Sequence, residues 1–185
     1  MEALDHVPAM VLGRRMDVLA ANRMARALLA DFSARPHRER NIARFVFLDP
    51  AARALYADWA VVAEDIVYSL RLDAGRNPDD AQLAELIGEL TLGDPDFSRW
   101  WSTHDVKRRV GGVKRFVHPI VGELSLHYDR LVTPDDPDQR LSFYTAERAS
   151  KSAEAIRLLG DWTSTLPDSP DANTSVPSAG SDVHP

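Results

Sequence analysis

The chain has 185 residues, with 22 Lys and Arg against 28 Asp and Glu for a formal net charge of −6, and it contains no cysteine. The missing thiols exclude disulfide staples and thiolate-built zinc or iron–sulfur sites, and the acidic balance argues against a direct grip on nucleic acid. With 44% hydrophobic and 27% charged residues, the composition is that of a soluble domain large enough for one sizeable core.

From the N-terminus, Met1–Val7 carries Glu2 and Asp5 where a secretory leader needs basic residues, so the expected location is the cytoplasm. Ala9–Leu12 and Asp17–Ala21 flank Gly13-Arg14-Arg15 and read as a β-hairpin, followed by a helix over Asn22–Ala30. Apolar runs such as Phe45–Leu48 and Trp59–Ala63 fall far short of the ~20 residues that cross a bilayer, so no membrane is expected.

Asp49-Pro50, Asn77-Pro78 and Asp94-Pro95 each place a capping side chain before a proline and read as helix starts. After the first, Leu55, Trp59, Val62, Ile66 and Leu70 recur at steps of three and four. That spacing predicts one amphipathic helix from Asp49 to Gly75, with Asp58, Glu64 and Asp65 mostly turned away from its stripe. After the second, Leu83, Leu86, Ile87 and Leu90 lead to Gly93, which reads as a terminator; the third opens a short segment through Phe97 to Trp101.

The period then changes to two. Val113–His118 reads as a strand stopped by Pro119 and Gly122, and Leu124, Leu126 and Tyr128 alternate with Glu123, Ser125, His127 and Asp129. The loop Pro134–Asp138 returns the chain to Leu141, Phe143 and Thr145, a connection short enough to require antiparallel pairing. A helix is expected over Ser150–Leu159. Asp161–Pro185 holds four acids, no Lys or Arg, and scattered prolines and serines, so residues 161–185 are expected to be a disordered acidic tail behind a domain spanning 1–160.

Two strands, a helical middle and three strands give an α+β fold: a PAS-like five-stranded antiparallel sheet covered on one face by helices, with a pocket between them. The segments MDVLAANRMARALL (from Met16), ERNIARFVFLDPAARALYADW, WWSTHDVKRR, KRFVHPIVGELSLHYDRL and DQRLSFYTAE, in that order, resemble the C-terminal ligand-binding domain of MmyB-like transcription regulators. The resemblance covers roughly Pro8 to Leu159. It implies a PAS-like sensor for a fatty-acid-like molecule in a bacterial regulator linked to antibiotic or secondary metabolism, normally placed after an XRE-type helix-turn-helix. Only Met1–Val7 precede the first expected strand, so DNA is expected to be reached only through a helix-turn-helix domain absent from this chain.

The residues offer little for catalysis or metals. His104, His118 and His127 are spaced unlike any metal signature, and Ser102-Thr103-His104-Asp105 has side chains too close in sequence to form a catalytic triad. Ser102 or Thr103 more naturally caps a helix end. No enzyme, metal or cofactor is therefore expected. The basic cluster Lys107, Arg108, Arg109, Lys114 and Arg115 reads as a solvated face. For an apolar ligand, the candidate wall residues are Phe47, Trp59, Ile66, Trp101, His104, His118 and Tyr128, with Arg71 and Arg115 as candidates to meet a carboxylate head. The helix Asp49–Gly75 is the expected lever. The rival reading is a ligand-free dimerisation or protein-interaction module, with a second copy of the chain as partner.

Overall fold

The computed structural model describes residues 6–103, 112–133 and 136–165. Five antiparallel strands, β1 (Ala9–Leu12), β2 (Val18–Ala21), β3 (Gly112–His118), β4 (Gly122–Thr133) and β5 (Asp136–Ala146), form one sheet in the order β2-β1-β5-β4-β3. The N-terminal hairpin joins the C-terminal meander through β1 and β5, with Met10 opposite Ser142 and Leu12 opposite Arg140. This is the α+β, PAS-like sheet that the element order predicts. Phe116, Leu124, Leu126, Tyr128 and Tyr144 are buried beneath the helices, while Arg115, Val117, Glu123, Ser125, His127 and Asp129 face solvent.

The helices are α1 (Arg23–Leu28), α2 (Ile42–Leu48), α3 (Pro50–Leu55), α4 (Trp59–Arg76), α5 (Ala81–Gly93), α6 (Pro95–Ser102) and α7 (Lys151–Ser164). The stretch 49–75, expected as one helix, is two. Tyr56 is extended and bridges to Phe116, and the Ala57 amide donates to the Arg115 carbonyl at 3.0 Å. The edge of β3 thereby captures the chain between α3 and α4.

Two capping expectations also shift. Asn77-Pro78 lies in the preceding turn, and Asp80 caps α5 by accepting from the Gln82 and Leu83 amides, each at 3.0 Å. Gly93 is still helical. Its role is close approach, because a Cβ there would lie 2.5 Å from Cδ2 of Leu48 on α2. The sequence pattern gave α2 no signal, since Ile42, Ala43, Phe45, Val46 and Phe47 are all buried and no polar face marks the period.

Wholly buried Asn41 starts α2 by accepting from the Arg44 amide at 3.1 Å, and its amide donates to the Arg15 carbonyl at 2.7 Å. Arg15 and Met16 have φ of 57° and 65°, a left-handed conformation costly for residues with side chains. Asn41 and Asp73, which accepts from the Arg15 amide at 3.2 Å, hold that turn in place. At the other end, α7 runs through residues 161–164, which the sequence pattern assigned to the tail. Residues 166–185 lie outside the described residues.

Asp94 ties the helical layer together. It is 4% exposed, caps α6 by accepting from the Phe97 amide at 2.8 Å, and pairs with Arg53 of α3 at 2.7 Å. Asp94→Ala removes a cap and strands buried polar groups, so it should cost about 2–4 kcal/mol in urea unfolding at unchanged m-value. Arg53→Ala, at a half-exposed cation, should cost under about 1 kcal/mol.

Candidate functional site

The space between the sheet and α4 is where a PAS-like pocket was expected. Val62 and Ile66 of α4 face Met10, Leu12, Tyr128 and Tyr144 across it. Asp65, Ser69 and Asp73 follow at helical steps of four along the same helix, so they share one flank. Asp65, expected to turn outward, is 7% exposed. Arg130 of β4 reaches it at 2.7 Å and also donates to the Tyr128 hydroxyl, while Arg140 of β5 donates to Asp73 at 3.1 and 3.2 Å. The rings of Tyr128 and Tyr144 sit 5.3 Å apart, and burial pushes both the Tyr144 and Tyr56 phenols above their usual range. What remains empty is about 10 Å³, room for about one water. The expected hollow is filled by side chains.

Beside this chamber lies a cleft of about 190 Å³ bounded by Asp58, Val61, Val62, Asp65, Gly112, Val113, Lys114, Arg115 and Tyr128. Lys114, expected on a solvated face, is partly buried and turned toward the helices because β3 alternates Lys114, Phe116 and His118 inward. Its ammonium lies 3.9 Å from the centroid of the Tyr128 ring. Desolvation lowers its pKa from 10.5 to about 8, against an opposing pull from Asp65.

The roomy site is elsewhere. A cavity of about 570 Å³ opens between α1, α3, the β3–β4 turn and α7. Ala27, Leu28, Leu29, Ala51, Ala54 and Leu55 line its floor, Val117, Pro119 and Ile120 one wall, and Trp162 and Thr163 another, with Arg23, Arg26 and Asp31 adding polar groups. That volume falls in the range of about 300–1,000 Å³ usual for small-molecule sites. His118, 4% exposed, fixes the wall. Its Nδ1 accepts from the Ile120 and Val121 amides at 3.2 and 3.4 Å, so Nε2 carries the proton and donates to the Ala27 carbonyl at 2.9 Å. Gly122, at φ 76°, closes the turn behind it.

Of the candidate ligand residues that are described, His118 alone lines this cavity. Phe47 and Trp59 belong to an aromatic cluster: Phe47 meets Trp59, Phe97 and Trp100 edge-on at 5.8, 5.0 and 6.4 Å. Trp101 stacks on Phe97 at 5.7 Å. Ile66 and Tyr128 line the filled chamber, and Arg115 lines the cleft, held by Asp58 at 2.5 and 2.7 Å. Arg71 donates to the Trp100, Trp101 and Thr103 carbonyls, closing the C-terminus of α6. Ser102 and Thr103 donate to the Arg99 carbonyl at 2.9 and 3.1 Å, the capping role their sequence suggested. His104, Lys107, Arg108 and Arg109 lie outside the described residues. The pattern missed Ala27, Ala54, Leu55, Ile120 and Trp162, whose only signal was small or apolar residues on elements of separate sequence regions.

A cation disfavoured by its surroundings is a stability cost that vanishes once it can shed its proton. Because the folded pKa of Lys114 lies below 10.5, at about 8, that cost is complete below pH 8 and fades as pH rises from there toward 10.5. Lys114→Met should therefore stabilise the fold by about 1–3 kcal/mol at pH 7. The gain, read from denaturant midpoints, should be smaller at pH 9.5.

Among the described residues no three His, Asp or Glu side chains gather as a metal site, and no helix is long and apolar enough to cross a membrane. No curated protein matches the chain in sequence. Residues 1–159 match the family described as MmyB-like transcription regulator ligand binding domain. The chain belongs to that family, and is a ligand-binding domain of transcription-regulator type.

Proposed function

We propose that this domain senses an apolar or amphipathic, fatty-acid-like molecule in the bacterial cytoplasm and passes its occupancy to an XRE-type helix-turn-helix domain outside these residues, at genes of secondary metabolism. The observation that carries this reading is the 570 Å³ cavity walled by Leu28, Leu55, Ile120 and Trp162. Burying ten methylenes there contributes about 8 kcal/mol before ordering costs, without any catalytic group. A carboxylate head needs a charged donor, and Arg23 borders the same cavity, as does Arg26, which also donates to the Ala21 carbonyl at 3.2 Å. Arg71 and Arg115 already hold carbonyls and Asp58.

The cavity touches α3, and α3 connects through the Tyr56–Phe116 bridge to β3 and α4. A ligand that prefers one placement of α3 against the sheet would shift the population of domain states by its difference in affinity for them. The lever in this reading is α3 together with α4, rather than one continuous helix. Exposed Val113 and Leu131, at 53 and 55%, favour a homodimer as the companion reading. Sedimentation of the free and ligand-loaded chain tests it.

Dodecanoate titrated into delipidated protein, followed by calorimetry, tests the sensor. Saturable one-to-one binding is expected, weakened at least tenfold by Ala54→Trp, which fills the cavity from an exposed position outside the core. Binding that Ala54→Trp leaves intact, or no binding, would contradict the reading.

A further inference from the structure

We propose that the cleft between α4 and strands β3 and β4 is a second binding site, separate from the apolar cavity, for a short hydroxy-carboxylate whose carboxylate sits on Lys114 and whose hydroxyl donates to Asp65. Among the described residues the two spaces share no lining residue.

Charge provides the first argument. Arg130 and Asp65 cancel at 2.7 Å, and Arg115 and Asp58 cancel at the rim with contacts of 2.5 and 2.7 Å. Tyr128 is neutral. Lys114 is left as the extra positive charge of the cleft, with no hydrogen-bond or ion-pair partner among the described residues and only the faces of Tyr128 and Tyr144 near it, at 3.9 and 5.8 Å. A single desolvated cation favours a monoanion; a phosphate dianion would overshoot it, and no open guanidinium fork is offered.

The second argument is independent. Asp65 spends Oδ2 on Arg130, but its buried Oδ1 accepts from nothing. An orphan acceptor in an enclosed place is costly, and a ligand hydroxyl relieves it. A cation and an acceptor on facing walls therefore ask for an anionic acceptor and a donor in one molecule. Size narrows the class: at 190 Å³ the cleft is a third of the 570 Å³ cavity, which suits a hydroxy acid of a few carbons rather than a long chain. Val61, Val62 and the face of Tyr128 suit its short aliphatic part.

The full-length chain is titrated with 3-hydroxybutyrate, butyrate and 3-hydroxybutyramide. The chain has three lysines, Lys107, Lys114 and Lys151, so lysine-labelled NMR resolves the Lys114 side chain directly. The hydroxy acid is expected to shift the Lys114 signal saturably and to bind at least tenfold more tightly than either analogue. Lys114→Met should abolish this while leaving dodecanoate binding unchanged. Equal affinity for butyrate would overturn the assignment to Asp65. A Lys114 signal unmoved by the hydroxy acid overturns the site itself, and this readout needs no variant.

Acidity supplies a further reading. The groups facing the ammonium are Asp58 and Asp65 from the α4 side, Arg115 on β3, Tyr128 and Arg130 on β4, and Tyr144 on β5. Of these, burial brings Lys114 down to about 8 and pushes Tyr144 up, while Arg115 holds the Asp58 carboxyl low. Affinity should hold between pH 6 and about 8 and fall by up to about tenfold per unit above it. A flat profile to pH 10 contradicts the role given to Lys114.

Discussion

The placement of α4 on the sheet rests on buried charge. Asp65 meets Arg130 and Asp73 meets Arg140 across the helix–sheet interface, with all four side chains at most 22% exposed. Losing one partner of such a pair typically costs about 3–5 kcal/mol, because the other is left charged in a poor solvent. The two pairs lie two helical turns apart along α4 and on adjacent strands, so together they fix how the helix is rotated and where along the sheet it sits. Asp73 extends the constraint by taking the Arg15 amide, which holds the left-handed turn of the first hairpin.

With α4 so fixed, the space that a PAS-like sheet could enclose is occupied by Arg130, Tyr128, Tyr144 and Ile66. The roomier cavity lies at the end of the sheet, where α1, α3 and α7 meet the β3–β4 turn. There the walls come from helix faces and a turn rather than from the sheet centre, and His118 braces the turn against α1. Lys114 on β3 is left without an ion-pair partner among the described residues of this interface.

Alternation along β4 and the proline-marked helix starts made the meander strands and most helices legible from sequence, because each is set by neighbours within one element. Arg130 keeps the inward phase of Leu124, Leu126 and Tyr128, but the alternation read from sequence ended at Asp129. Asp65 was not, since its burial depends on an arginine 65 residues away. The break between α3 and α4 was likewise invisible, arising from the capture of Tyr56 by Phe116. Aromatic residues were natural choices for pocket walls, yet Phe47, Trp59 and Trp101 spend their faces on one another and on Phe97 and Trp100. The cavity is built from alanines and leucines that no local pattern distinguishes from core.

The location of a bound chain tests this account most directly. Crystals grown with 12-bromododecanoate would carry an anomalous scatterer at the end of the ligand. The account predicts a bromine peak among Leu28, Leu55 and Trp162 with the Asp65–Arg130 pair intact; a peak beside Ile66 and Tyr56, with α4 lifted from the sheet, would contradict it.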